Sequence, residues 1–102
     1  MNKLVFIFLF ITQIFLAQNG FEKGNALYQK GEYEAAISAY ESVLKGKQQS
    51  AEVYFNLGNC YYKLTKVAPA IYNYEKALVF HPNDSEIRNN LKFAQKMTID
   101  EI

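Results

Sequence analysis

The chain is predicted to be all-α, a helical-repeat stack of two hairpins closed by a C-terminal capping helix and preceded by an export signal. Three observations lead there. The sequence repeats itself at one fixed shift. Each copy carries apolar residues at helical spacing. The last helical segment is apolar along a single stripe.

Shifting the 102-residue sequence by 34 positions aligns it with itself. Phe21 falls on Phe55, Gly24 on Gly58, Asn25 on Asn59 and Tyr28 on Tyr62. Farther on, Ala36 falls on Ala70, Ile37 on Ile71, Tyr40 on Tyr74, Glu41 on Glu75 and Leu44 on Leu78. So many identities in one ungapped register mark a structural repeat. Half of the residues are apolar and the net charge is +1, which suits one packed domain.

Residues 1–18 form a separate unit. Lys3 gives a positive start, and Leu4–Ala17 follows without a charge. That run is shorter than the roughly 20 residues that span a bilayer as a helix. A basic start, a short apolar run and then polar Gln18 and Asn19 read as a secretory signal peptide, cleaved near residues 17–20. The mature chain is then exported, periplasmic or on the outer side of an inner membrane. One alternative is the apolar first helix of a soluble fold, and the other is an uncut signal anchor. It leaves the remainder on the same side, because Lys3 favours the cytoplasm.

The first repeat occupies residues 19–50 and the second residues 51–84. In the second, Tyr54, Leu57, Gly58 and Tyr61 recur at i, i+3, i+4 and i+7. Ala70, Ile71, Tyr74, Ala77 and Leu78 give the same one-sided pattern in the following helix. Ser50 is placed to cap the first of these helices. Pro69 suits the first turn of the next, and Pro82 ends it. Gly31 separates the helices of the first repeat. Residues 85–98 form the fifth helix, with Asn83, Asp84 and Ser85 as capping residues and a stripe of Ile87, Leu91 and Ala94. Asn89, Asn90, Lys92 and Lys96 keep its remainder polar, as the end of a stack requires. Residues 99–102 are a tail.

Glycine inside a helix costs roughly 1 kcal/mol relative to alanine. Gly24 and Gly58 therefore need a packing reason. The expectation is that they, with Ala36 and Ala70 on the partner helices, let two helix backbones approach closely. The expected structural core is Gly24, Ala36, Tyr40, Tyr54, Leu57, Gly58, Tyr61, Ala70, Tyr74, Ala77 and Pro82.

These elements resemble the tetratricopeptide repeat (TPR) family. Tyr54, Leu57, Gly58, Tyr61, Ala70, Ile71, Tyr74, Ala77, Leu78 and Pro82 fill its signature places in the second repeat. Thr65 stands where a glycine is common. In the first repeat Gly24, Gly31, Tyr33, Ala36, Ile37, Tyr40 and Leu44 match. Gly20, Lys23 and Gln48 depart from the aromatic, leucine and proline usual there. The resemblance implies a right-handed superhelix with a concave groove that holds extended peptides or helices. A narrower likeness is to the N-terminal part of the Bacteroides-type aerotolerance TPR proteins. It rests on the signal segment with "FEKGNALYQKGEYEAAISAYESVL", "YFNLGNCYYKL", "APAIYNYEKAL" and "NNLKFAQ".

A second stripe runs along the first helix of each repeat: Phe21, Asn25 and Tyr28, then Phe55, Asn59 and Tyr62. Phe93 continues it on the capping helix. A helix apolar on two faces buries both or uses one for binding. The stripe either lines the groove or thickens the core. Asn25 and Asn56 match two asparagines of the TPR carboxylate clamp. Phe21, Glu86 and Asn90 stand where its cations belong, so that type of capture is not expected. The groove residues are therefore Phe21, Asn25, Tyr28, Phe55, Asn56, Asn59, Tyr62 and Phe93.

No catalytic constellation is visible, and no cofactor or metal is expected. His81 and Cys60 are the only residues of their types and occupy distant repeat positions. Cys60 is expected to be buried, the alternative being a disulfide to another chain. Scattered charge gives nucleic acid no basic stripe. The function expected is a non-enzymatic adaptor that binds a protein or peptide, with membrane proximity through the aerotolerance likeness. The alternative is self-association by end-to-end stacking, because two repeats fall short of the usual three.

Overall fold

The computed structural model describes residues 19–100, and the expected signal segment lies outside the described residues. Five helices follow in order: α1 over residues 19–29, α2 Tyr33–Lys45, α3 Ala51–Lys63, α4 Val67–Phe80 and α5 Ser85–Asp100. The two expected hairpins are α1–α2 and α3–α4. Helix α5 runs two residues beyond the expected capping segment.

Local chemistry sets the boundaries. The Ser50 hydroxyl accepts a hydrogen bond from the Val53 amide at 3.3 Å, capping α3. Asp84 does the same for α5, accepting from the Ile87 amide at 3.1 Å. Pro69 sits in the first turn of α4, and α4 stops at Phe80 before Pro82. Between α1 and α2, Gly31 has φ +78°, a left-handed conformation that glycine takes without strain. Thr65 holds the equivalent corner at φ +57°, so the second hairpin makes the same turn with a β-branched residue.

Helix α3 is buried on two faces, and this organises the core. Val53, Leu57 and Cys60 pack against Ala36, Ile37, Tyr40 and Val43 of α2. Tyr54 packs with Ala70, Tyr74 and Ala77 of α4 and with Ile87 and Ala94 of α5. Leu57 thus faces the preceding repeat, rather than sharing a packing surface with Tyr54. Cys60 is buried as expected. On α5 the stripe of Ile87, Leu91 and Ala94 occupies the positions of Val53, Leu57 and Cys60 one repeat earlier. The capping helix therefore packs as the first helix of a third repeat.

The glycines have a different role from the one expected. A Cβ on Gly24 would lie 2.5 Å from Cε1 of Tyr40, and one on Gly58 2.6 Å from Cδ1 of Tyr74. The ring of the partner tyrosine lies against the bare backbone, so the close approach is tyrosine to glycine and not backbone to backbone. Tyr40 and Tyr74 are each only 1% exposed. Ala36 and Ala70, fully buried, belong to the same layers. Tyr61 is half-buried and reaches Glu41 of α2 at 3.3 Å, and Pro82 is exposed at the turn rather than in the core.

Replacing Gly58 by alanine should therefore destabilise the fold even though alanine is the better helix former. The Tyr74 ring must shift, and overpacking of this kind costs about 1–3 kcal/mol. Urea unfolding of Gly58→Ala checks this. A midpoint equal to or above the parent's would show that the ring yields freely.

Candidate partner-binding face

One residue type sits at the centre of each repeat. Asn25 follows Gly24, and Asn59 follows Gly58, so the tyrosine that crosses the glycine ends at the asparagine. The Tyr40 hydroxyl donates to Oδ1 of Asn25 at 2.5 Å, and the Tyr74 hydroxyl donates to Oδ1 of Asn59 at 2.5 Å. A second donor arrives from the next repeat. Asn56 Nδ2 donates to Asn25 Oδ1 at 3.2 Å, and Asn90 Nδ2 donates to Asn59 Oδ1 at 3.0 Å. Each carbonyl oxygen therefore ties its own hairpin together and also ties α1 to α3, or α3 to α5.

These nodes leave polar groups facing outward. Asn25 and Asn59 have both lone-pair sites of Oδ1 occupied and keep their amide N–H groups for another acceptor. Asn56 and Asn90 keep their own carbonyl oxygens. All four asparagines are half-buried.

Two clefts open over the nodes. One, of about 270 Å³, is lined by Asn25, Tyr28, Gln29, Tyr40, Asn56 and Asn59. The other, of about 200 Å³, is lined by Tyr28, Asn59, Tyr62, Lys63, Tyr74, Asn90 and Phe93. They share Tyr28 and Asn59 and so form one continuous face along α1, α3 and α5. Tyr28 also packs edge-on against Tyr33 at 5.2 Å, which fixes its ring. Phe93 is 56% exposed and stands over the second cleft.

Six of the eight expected groove residues are brought together here: Asn25, Tyr28, Asn56, Asn59, Tyr62 and Phe93. Phe21 and Phe55 line neither cleft. Phe21 packs edge-on against Tyr40 at 6.0 Å, and Phe55 lies tilted against Tyr74 at 5.9 Å. Each backs the ring that covers the glycine, so both serve the packing of the tyrosine layer. Their spacing from the asparagine, one helical turn, could not separate a wall of the groove from the side of the ring behind it.

Gln29, Lys63 and Asn90 were not among the expected groove residues. Gln29 and Lys63 are one repeat apart, as are Asn56 and Asn90, and that equivalence is the signal that points to them. Asn90, read from sequence as part of the polar exterior of the cap, is a half-buried donor to Asn59. Among the described residues no group of three His, Cys, Asp or Glu side chains is placed to hold a metal ion.

Comparison with known proteins agrees with this architecture. Residues 24–64 match the family model described as TPR repeat, and residues 51–84 match the model described as tetratricopeptide repeat. The human Tetratricopeptide repeat protein 16 is 28% identical over 69 residues, covering 68% of this chain and 8% of that protein. The Hsp70-Hsp90 organizing protein 1 of Glycine max is 31% identical over 71 residues, covering 70% of this chain and 12% of that protein. Heat shock protein STI1 of Saccharomyces cerevisiae is 35% identical over 78 residues, 70% of this chain and 13% of the relative. The chain thus spans about a tenth of the length of these curated relatives.

The node and its surroundings respond to alkali. Burial pushes the Tyr40 hydroxyl from 10.0 up to about 12 and the Cys60 thiol from 9.0 up to about 11, and it raises Tyr74 as well. The folded state holds these protons more tightly than the unfolded state does. Their contribution to stability is complete below about pH 9 and is lost as pH rises from there to about 12. Helical circular dichroism should fall together with the rise of tyrosinate absorbance from Tyr40 and Tyr74. Complete tyrosine ionisation near pH 10 with the helical signal intact would contradict the burial argument.

Proposed function

We propose that this tetratricopeptide-repeat chain is a non-enzymatic adaptor that binds a segment of a partner protein across α1, α3 and α5. The observation that carries this reading is the pair of adjoining clefts, built from equivalent residues of successive repeats. They present aromatic side chains beside amide groups whose remaining donors and acceptors suit a polypeptide backbone. In the superhelix of the family this surface is the concave groove. The similarity to proteins named as Hsp70-Hsp90 organizers supports a protein partner in general. It does not carry their particular partners to a chain that covers so little of them.

The alternative of end-to-end stacking is less well supported. Helix α1 exposes Lys23 and Ala26 where α3 buries Leu57 and Cys60. Helix α5 places exposed Arg88, Lys92 and Gln95 where α3 has Tyr54, Gly58 and Tyr61. Both described ends of the stack are thus polar, and joining them would bury charge without completing a core.

The setting in this reading is extracytoplasmic, in a membrane-associated complex of the aerotolerance type. Export is supported by Lys3 followed by the uncharged Leu4–Ala17 run, and the aerotolerance setting by the likeness of the repeat segments alone. Among the described residues no helix is long and apolar enough to cross a membrane.

Two experiments test these statements. Tyr62→Ala combined with Phe93→Ala should abolish capture of the native partner while leaving helicity and monomeric light scattering unchanged, since a few aromatic anchors dominate most interfaces. Full binding by the folded double variant would refute the groove reading. For export, N-terminal sequencing of protein from its native host should find a start between Gln18 and Gly20. A Met1 start in the soluble cytoplasmic fraction would exclude it.

A further inference from the structure

The two clefts are the same site repeated, but their chemistry differs at two positions. Advancing by 34 residues converts Asn25, Tyr28, Tyr40 and Asn56 of the first into Asn59, Tyr62, Tyr74 and Asn90 of the second without change of type. The changes are Gln29 to Lys63 and Asn59 to Phe93. The first cleft is therefore amide-rich and uncharged. The second has a large exposed ring on one wall and an ammonium group at its rim. Among the described residues no carboxylate lines either cleft, so the Lys63 charge faces no described lining group of opposite sign.

We propose that the occupant is an extended partner segment that carries one large apolar side chain flanked by an acidic residue, about three residues from a small polar one. This inference rests on the reading of the face as partner-binding and specifies what that face selects. The apolar side chain enters the second cleft, between Tyr62 and Phe93. At about 200 Å³ this cleft is smaller than the roughly 300–1,000 Å³ of a small-molecule pocket, so it takes a single side chain. The neighbouring Asp or Glu pairs with Lys63. The small polar residue lies over Asn25 and Asn56, which meet its side chain or backbone with amide groups.

Register follows from the packing. The Asn56–Asn25 and Asn90–Asn59 bonds hold α1, α3 and α5 in direct contact, one helix diameter apart. That separation is about 8–10 Å. An extended chain advances about 3.3 Å per residue, so about three residues separate the two contacts. A helical partner advances only 1.5 Å per residue and places equivalent side chains farther apart in sequence.

The test is selection of a phage-displayed library of random 12-residue peptides on the full chain, on Phe93→Asn and on Lys63→Gln. Each substitution gives the second cleft the residue type already present in the first. Circular dichroism verifies that both variants fold, since Phe93 and Lys63 lie at the surface. Peptides selected by the parent should share an aromatic or large aliphatic residue with an acidic neighbour, and a small polar residue about three positions away. Phe93→Asn should weaken their binding by about tenfold or more. Lys63→Gln should weaken it by about threefold at low salt and scarcely at all at high salt.

Peptides that lose affinity in Tyr62→Ala, yet share no apolar–acidic pair or bind Phe93→Asn as well as the parent, would overturn this specificity and leave the groove reading standing. Peptides indifferent to Tyr62→Ala, or the selection of none, would overturn both. A concentration-dependent dimer of the parent that Phe93→Asn abolishes would replace the partner segment with a second copy of the chain.

Discussion

A single carbonyl oxygen in each repeat holds the stack together. Oδ1 of Asn25 and of Asn59 receives a tyrosine hydroxyl from its own hairpin and a side-chain amide from the following repeat. At this half-buried position, between the packed tyrosine and the cleft, both acceptor sites of the oxygen are used. The hydroxyl reaches the asparagine only because the tyrosine ring passes over the adjacent glycine. Any side chain at Gly24 or Gly58 would occupy the path of the ring. Glycine, asparagine and tyrosine thus form one unit, and the positions of α1, α2 and α3 relative to one another follow from it.

The same unit places the candidate binding face. Because Oδ1 is turned toward the core, the N–H groups of Asn25 and Asn59 remain for the surface. The tyrosines at Tyr28 and Tyr62 stand one turn farther along the same helices. A surface made this way is rigid, since its polar members are already held by structural bonds. Rigid, pre-positioned groups lose less conformational entropy on binding. Stability is therefore drawn from one end of these side chains, and the proposed recognition would use the other.

The repeat and its helical periodicity were legible in the sequence, because a shift of 34 residues and a 3.6-residue period both leave marks on residue type. So were the caps at Ser50 and Asp84 and the corner at Gly31. The face of α3 that meets the preceding repeat was harder to see. Val53 and Cys60 are small, and Leu57 could be assigned to either face. The roles of Phe21 and Phe55 could not be read, because a position one turn from the asparagine can border the cleft or back the tyrosine ring. Asn90 looked like a surface residue of a polar helix. Its place became evident only when α5 proved to pack as the first helix of a further repeat.

Helix α5 has the Asn90 that closes the node of the second repeat, but Lys92 and Phe93 replace the glycine–asparagine pair that would open another. The junction between α1 and α3 is the same as that between α3 and α5, with bonded asparagines 31 residues apart in both. Such an array has equivalent polar joints between successive units. A duplicated block of 34 residues placed before α5 would meet the same bonding partners on both sides. The array can therefore lengthen by whole units with its asparagine bonds preserved at each joint, and its reach is then set by copy number rather than by new polar chemistry.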